Sequence, residues 1–519
     1  MVEDAPGWAY RGQGPGKEGT AMCPVTDGNS YWMASVPPTT LPPLAEDIDA
    51  EVCIIGAGIT GLLCAHELAE AGKDVVVVEA DRIASSVTGY TTAKLTSQHG
   101  LRYARLTDEL GPEAARAYGR ANQAALSRIR DIVAELGIDA DLETRDAYVY
   151  ATRPEHVEGL RAEAQAAAEA GLPASFTTEV PVPFATVGAV RFADQAQVHP
   201  RKLLVALAGV LAERGVRIFE QTEATAVERD GRWRVTTAGG TVTADAVVAA
   251  TLTPASGIGD DLWDSFYCHQ GFAVALPLRG EGPGGVLITH ERPMRSMRTI
   301  ADPDGRMLQV GGAAWVADPN AGDTPYDDLE AWAREHFDVG PAAYRWTTQD
   351  NSTADGVPLI GALEDGLFFA GGFGGWGMTT GGVAAAIIRD LVLGTSTDPE
   401  RDRIFDPRRT MPPIDDALIS RHTSSGTDHD ARDVVAGLAP GEAAVVRQDG
   451  QQLGVHKKAD GTLDVVSAVC THAGCIVLWD HEATGWACPC HGSRFAPDGA
   501  VTHGPAEEPL ADKRALLEP

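Results

Sequence analysis

The 519-residue sequence has no apolar run near the ~18 residues that a membrane-spanning helix needs. It is poor in basic charge: 42 Lys and Arg stand against 73 Asp and Glu, for a net charge of −31. Such a chain lacks the basic face that nucleic acid requires and the polybasic stretch that anchors a protein to acidic lipid. The deficit is even along the chain, since residues 430–519 carry 7 basic and 13 acidic residues, close to the density elsewhere. Lysine is scarcer still, 7 against 35 arginines. The N-terminus has no basic stretch followed by an apolar one, which argues against a secretory signal and for a cytoplasmic protein. Structural disulfides are rare in that compartment, so the eight cysteines need local reasons. Cys23, Cys53, Cys64 and Cys268 are scattered. Cys470, Cys475, Cys488 and Cys490 fall within 21 residues. What remains is a globular composition, 44% hydrophobic, with room for about two to four domains.

Residues 51–58, EVCIIGAG, read as a buried strand ending in glycines. A helix over 59–71 and a strand over 75–78 follow, making one strand–helix–strand unit. Gly56, Gly58 and Gly61 form G-x-G-x-x-G at its turn. The first allows the tight turn, the second the approach of a pyrophosphate, the third the packing of helix on strand. The helix N-terminus then offers N–H donors to phosphate. Glu79, 23 residues after Gly56, is placed to accept ribose hydroxyls. A second G-x-G-x-x-G at 280–285 contains Pro283 and precedes a strand-like Val-Leu-Ile-Thr, so it reads as a loop. One dinucleotide is therefore expected, which disfavours direct use of NADH.

Helices are expected over 104–137, 154–171 and 200–214. Strands are expected over 216–219, 225–228, 233–237 and 242–250, three of them a meander, and through 266–316. A strand over 367–370 leads to a loop over 371–382 and an Ala-rich helix to 393. Residues 405–431 read as a linker. The rest reads as short strands and turns only.

Cys470-Thr-His472 and Cys488-Pro-Cys490-His491 form C-x-H…C-x-x-H. Two thiolates on one iron and two imidazoles on the other is the Rieske [2Fe–2S] arrangement. Tetrahedral Zn²⁺ is the chemical alternative, although zinc ligands do not usually alternate in this way within CTHAGC and CPCHGS. His456, His481 and His503 match no ligand position and read as surface residues.

Four stretches resemble the D-amino-acid-oxidase-like family of FAD-dependent oxidoreductases: EVCIIGAGITGLLCAHELAEAGKDVVVVEA, DRIASSVTGYTTAKLTSQHG, TADGVPLIG and FFAGGFGGWGMTTGG. The C-terminal motif is similar to the Rieske domains of cytochrome complexes. These resemblances imply an α/β FAD-binding (Rossmann-like) domain interleaved with an α+β substrate domain, followed by a small all-β Rieske domain. Residues 1–45 would be an N-terminal extension and 46–404 the oxidoreductase. Its FAD-binding parts lie at about 46–103, 192–258 and 351–400, its substrate domain at about 140–190 and 260–350. The linker over 405–431 and a Rieske domain over 432–519 complete the chain. In the family, Thr91, Thr92 and the backbone of Gly374, Gly375, Trp376, Gly377, Met378 and Thr379 would hold FAD, without a covalent bond. Lys94 and His99 lie on the loop that passes the flavin. Arg298 and Arg345 are the candidates for a substrate carboxylate, whose shape suits a guanidinium. Cys470, His472, Cys488 and His491 would hold the cluster, and Cys475 and Cys490 would form the disulfide joining the cluster loops. Ser493 would bond a cluster sulfur. Phe495 replaces the Tyr of high-potential members, which implies an intermediate potential.

The implied activity is oxidation of a small amine or amino acid, with hydride passing to flavin N5 and an imine product. Electrons would then go to the Rieske cluster and an external acceptor, a protein or O₂. The other reading is an electron-transfer flavoprotein that feeds a separate oxygenase. A homo-oligomer is compatible with either.

Overall fold

The computed structural model describes residues 30–254, 257–259, 262, 265–313, 325–412, 431–448, 451–472, 476–480, 484–488, 493–504 and 506–517. Strand Ile48–Ile55 is buried over its second half, and the four valines of Val75–Val78 are buried throughout. Continuous burial of this kind puts strands inside a parallel sheet covered on both faces. Both lie in an eight-stranded sheet whose main path runs Leu359–Glu364, Leu367–Gly371, Gly240–Leu252, Ile48–Ile55, Val75–Val78, Arg217–Phe219. Ile48–Ile55 is parallel to both of its neighbours. Helix Ile59–Glu70 links it to Val75–Val78, which completes the expected unit. Strands Ala224–Asp230 and Arg232–Thr237 form the expected meander with Gly240–Leu252.

Helix Gly377–Leu393 packs against Ile59–Glu70 at close range, because Gly381 presents no side chain to Thr60 and Ile59. Glu67, nearly buried, receives Arg128 of helix Pro112–Glu135 at 2.6 Å and Arg389 of Gly377–Leu393 at 2.7 Å, tying three helices together.

A nine-stranded sheet is inserted between the strands of the first. Its path is Tyr344–Thr353, Phe266–Pro277, Gly305–Ala313, Ser296–Asp302, Val286–Thr289, Glu143–Ala151, Gly188–Gln197, Lys94–Leu95, with Ala174–Thr177 beside Gly188–Gln197. The two sheets therefore alternate along the chain, as the interleaved reading requires. Residues 280–285 form no helix before strand Val286–Thr289.

The C-terminal part has two small antiparallel sheets. One is Ala443–Gln448, Gln451–Lys457 and Leu463–Ser467; the other is Leu478–Asp480, Gly485–Ala487, Arg494–Phe495 and Val501–His503. Its core includes Val466, Val477, Trp486, Phe495, Ala506 and Leu510 around Cys470 and Cys488.

Several expectations need correction. The expected N-terminal extension packs on the first body over residues 30–45: Trp32 is wholly buried and its indole N–H donates to Thr91 O at 2.7 Å. Helix Gly377–Leu393 starts inside the expected loop, since Gly381 and Gly382 are tolerated where helices meet closely. Residues to 409 belong to this body rather than to a linker. Helix Pro399–Phe405 buries Ile404 and Phe405, and Arg409 makes a bidentate pair with Asp355 at 2.9 Å. A helix at Ala431–Gly437 precedes the small sheets, so the C-terminal part is not strands and turns alone. His456 and His503 are not surface residues. His456 stacks on Trp479 at 4.7 Å and faces Asp464, its cross-strand partner, at 3.3 Å; His503 is 6% exposed. His481 lies outside the described residues.

Candidate functional site

The turn after Ile48–Ile55 is shaped by its glycines. Gly56 has φ +105°, and a Cβ there would lie 2.6 Å from Ala250 O. A Cβ on Gly61 would lie 1.9 Å from Gly56 O, so the helix can approach the turn only with glycine there. Gly58 faces Thr88, whose hydroxyl accepts the Ile59 N–H at 3.2 Å. Glu79 ends its strand with one carboxylate oxygen accepting from Ala57 N–H at 2.7 Å and the other from Asp81 N–H at 2.9 Å. Burial raises its pKa to about 7 against the pull of those two donors. Glu79 thus braces the glycine turn as well as facing the cavity beside it.

That cavity, about 560 Å³, runs from Gly56, Gly58 and Glu79 past Thr91, Thr92 and Lys94 to Gly374–Met378. Its far wall comes from the inserted sheet, at Phe272, Gly311, Trp346 and Asp350. At the glycine-rich end, Gly374 and Gly375 have φ +59° and +86°. Gly374 N–H donates to Asn351 O at 2.8 Å and Gly375 N–H to an Asp350 carboxylate oxygen at 2.6 Å. Helix Gly377–Leu393 starts here, and the first N–H groups of a helix have no partner within it. Thr379 Oγ1 is turned away from the cavity to accept Thr96 N–H at 2.9 Å, which pins the 94–99 loop to this helix.

Lys94 stands on the short strand Lys94–Leu95, at the edge of the inserted sheet, and not at a helix N-terminus. Its ammonium donates to Thr92 Oγ1 at 3.1 Å. No carboxylate pairs with it among the described residues. Burial, with Arg298 nearby, brings its pKa down to about 7. His99 stacks on Trp376 with ring centroids 4.7 Å apart. Its Nε2 faces Thr96 O at 2.8 Å, so Nε2 carries the proton, and Nδ1 accepts from Tyr118 OH at 2.6 Å. Burial drives its pKa well down and keeps the ring neutral.

The two predicted arginines are elsewhere. Arg298 is 3% exposed and donates to the carbonyls of Thr92, Ala93 and Val198 at 2.6–3.3 Å, so it holds the loop that carries Lys94. Arg345 is 45% exposed and pairs with Glu330 at 2.6 Å and Asp327 at 3.4 Å, away from the cavity. The cavity wall instead carries Arg102, Arg292 and Asp350. Sequence reasoning missed these because nothing local marks an Arg after a His-Gly pair, or an Asp inside a strand, as cavity-facing.

In the C-terminal part Cys470 and Cys488 are 2% and 3% exposed within one apolar cluster, and His472 is half-buried. Ser493 is wholly buried and its Oγ accepts from Ala506 N–H at 3.0 Å, leaving its own proton to donate. Phe495 shares the cysteines' cluster. Cys475, Cys490 and His491 lie outside the described residues.

These residues fit the implied groups. The glycine turn leaves backbone where a phosphate must approach, the cavity extends to a helix N-terminus, and two buried thiols suit iron. Fold and sites together define a two-part redox protein, a flavoprotein oxidoreductase of the amino-acid-oxidase type joined to an iron–sulfur domain. Residues 51–391 match the family of FAD-dependent oxidoreductases and residues 432–514 match the Rieske [2Fe–2S] domain. The chain belongs to that FAD-dependent oxidoreductase family, and its cofactors are FAD and one [2Fe–2S] cluster. It is 32% identical over 493 residues to a protein of Bacillus subtilis (strain 168) named as a Rieske 2Fe-2S iron-sulfur protein, YhfW, covering 93% of this chain and 96% of that one. It is 26% identical over 402 residues to gamma-glutamylputrescine oxidoreductase of Escherichia coli (strain K12), covering 71% of this chain and 88% of that one. The fold is similar to glycine oxidase from Geobacillus kaustophilus, with a TM-score of 0.58 at 21% identity, over 70% of this chain and all of that one. No helix among the described residues is long and apolar enough to cross a membrane.

Proposed function

We propose that the protein oxidises the C–N bond of a small amine or amino acid and sends the electrons through its own Rieske cluster to an external acceptor, in the cytoplasm. The reading is carried by the single cavity that joins the glycine turn to Lys94 and to strands of the inserted sheet. When bound, without a covalent link, FAD supplies a hydride acceptor and the cluster a one-electron carrier. The turn at Gly56–Gly58 receives phosphate, and Glu79 holds that turn while accepting ribose hydroxyls. Thr91 and Thr92 line the same wall. The N–H groups of Gly377 and Met378 stabilise negative charge at the far end, with Asp350 fixing Gly375.

Lys94, with a pKa near 7, meets the substrate as a neutral amine. Its Nζ takes the proton from the substrate ammonium, which frees the nitrogen lone pair for C–H oxidation. The resulting Lys94 ammonium then faces the negative charge left by reduction. Arg298 positions Lys94, and Trp376 with His99 closes the wall. Arg345 takes no part. Cys470, His472, Cys488 and His491 hold the cluster and Cys475–Cys490 bridges its loops. The test is an anaerobic screen of D-amino acids, glycine derivatives, polyamines and γ-glutamylated diamines, followed by bleaching of the flavin band. Bleaching by NADH alone and by none of these would overturn the proposal.

A further inference from the structure

Beside the main cavity lies a second, polar cleft of about 220 Å³, and the two share Arg102, Tyr267, Ser352 and Gly374. Arg102 and Arg105 converge on one backbone point: a Cβ on Gly356 would lie 2.6 Å from Arg102 Nη1 and 2.2 Å from Arg105 Nη2. Two guanidiniums this close repel unless an anion is near. Among the described residues, Arg105 faces the half-exposed carboxylate of Glu109 at 3.8 Å, and Arg102 has no ion pair. The cleft therefore presents two guanidiniums side by side at the door of the cavity.

Two further observations identify the occupant. Arg409 clamps the carboxylate of Asp355, and Arg105 donates to the carbonyl of that same Asp355. The segment that precedes the Rieske domain is thus held, at Arg409, beside the rim of this cleft. At the other end, the Cys470–His472 ligand loop reaches the surface: Val469 is 39% exposed and Thr471 is exposed. Thr471 Oγ1 donates to the carbonyl of Glu508, so the exposed pair Glu507 and Glu508 sits beside that loop. Among the described residues the exposed large apolar side chains are Val469 and Leu110, the latter ending the helix Tyr103–Leu110 that carries Arg105. Negative charge and one apolar residue on the tip match positive charge and one apolar residue at the cleft.

We propose that the cluster-bearing tip of the chain's own Rieske domain docks at this cleft, Glu507 and Glu508 against Arg102 and Arg105. The inference rests on the electron route given above and names its surface. The test uses the full chain with Leu110→Cys and Glu507→Cys, oxidised glutathione as oxidant and peptide mapping as readout. The control pair is Asp230→Cys, exposed at a hairpin tip of the other sheet, with Glu507→Cys. Docking predicts that Leu110→Cys/Glu507→Cys closes a disulfide within one chain about tenfold faster than the control. Arg105→Glu slows closure about two- to fivefold, and adding Glu508→Arg restores it. Equal rates for the two pairs, insensitivity to both charge changes, or a disulfide formed only between chains would overturn the proposal. So would an Arg105→Glu protein with unchanged closure and a raised KM for the amine, which would make the cleft a small-molecule site. Closure as expected, with no electron reaching the cluster after photoreduction of the flavin by 5-deazariboflavin, would keep the docking surface and sink the electron route instead.

Discussion

Replacing Lys94 with methionine separates the cost of burying this charge from its use. Burial takes its pKa from 10.5 to about 7. At about 1.36 kcal/mol per unit, keeping the ammonium in the folded protein costs up to about 5 kcal/mol at and below pH 7. Because the folded pKa is the lower one, the unfolded chain binds more protons between pH 7 and 10.5, and wild-type stability rises with pH across that window. Methionine has similar length and no charge, so the cofactor-free variant should be more stable than wild type by several kcal/mol at pH 6. That gain should fall to about 2 kcal/mol at pH 9 and vanish near pH 10.5. Urea unfolding of both proteins at pH 6 and pH 9 measures it. The same substitution should slow flavin reduction by substrate about 100-fold and remove the limb of the kcat/KM profile that rises through pH 7. A variant that is less stable at pH 6, or whose stability gain is the same at both pH values, would refute the buried-charge reasoning. An unchanged pH profile would refute the proton transfer.

Gly61→Ala puts a methyl 1.9 Å from Gly56 O and should lose FAD together with about 1–3 kcal/mol of stability, read by flavin absorbance and thermal unfolding. Asp350→Asn weakens the charge-assisted bond to Gly375 N–H and should raise the Kd for FAD about tenfold in a fluorescence titration. Phe495→Tyr adds a hydroxyl donor within the cysteines' cluster. A hydrogen bond to a charged group, about 1.5–3 kcal/mol, converts to a one-electron shift of about +60 to +130 mV in a redox titration. Asp480→Ala removes one carboxylate from Arg494, in a buried pair whose side chains are each 6% exposed, and should cost the Rieske domain about 3–5 kcal/mol in thermal unfolding followed at the cluster absorbance.

What the sequence disclosed and what it hid follow the range of the forces involved. The turn at Gly56–Gly61 and the pairing with Glu79 were legible because glycine conformation, helix start and strand end act within about 25 residues. The C-x-H and C-x-x-H pattern at 470–491 announces the Rieske domain, because a cluster fixes short spacings. Lysine scarcity draws attention to Lys94, which lines the cavity, but its place on a strand edge depends on pairing with Gln197, about a hundred residues away. The arginines were harder. No local pattern tells a structural Arg298 or Arg345 from a substrate-binding arginine, and only tertiary structure shows three carbonyls around one and two carboxylates around the other. Arg102 and Arg409 gain their meaning from Gly356 and Asp355, about 250 and 50 residues away. The burial of Trp32 likewise comes from a distant partner, Thr91, that no local pattern announces.

The central claim is that electrons taken from an amine cross from FAD to the protein's own cluster. It is tested most directly by rapid mixing without oxygen, using the compound that bleaches the flavin fastest in the screen. The flavin and cluster bands are followed separately and samples are frozen for electron paramagnetic resonance. The account predicts loss of the flavin band followed, within one turnover time, by the signal of the reduced cluster. A bleached flavin beside a cluster that stays oxidised for seconds would contradict it.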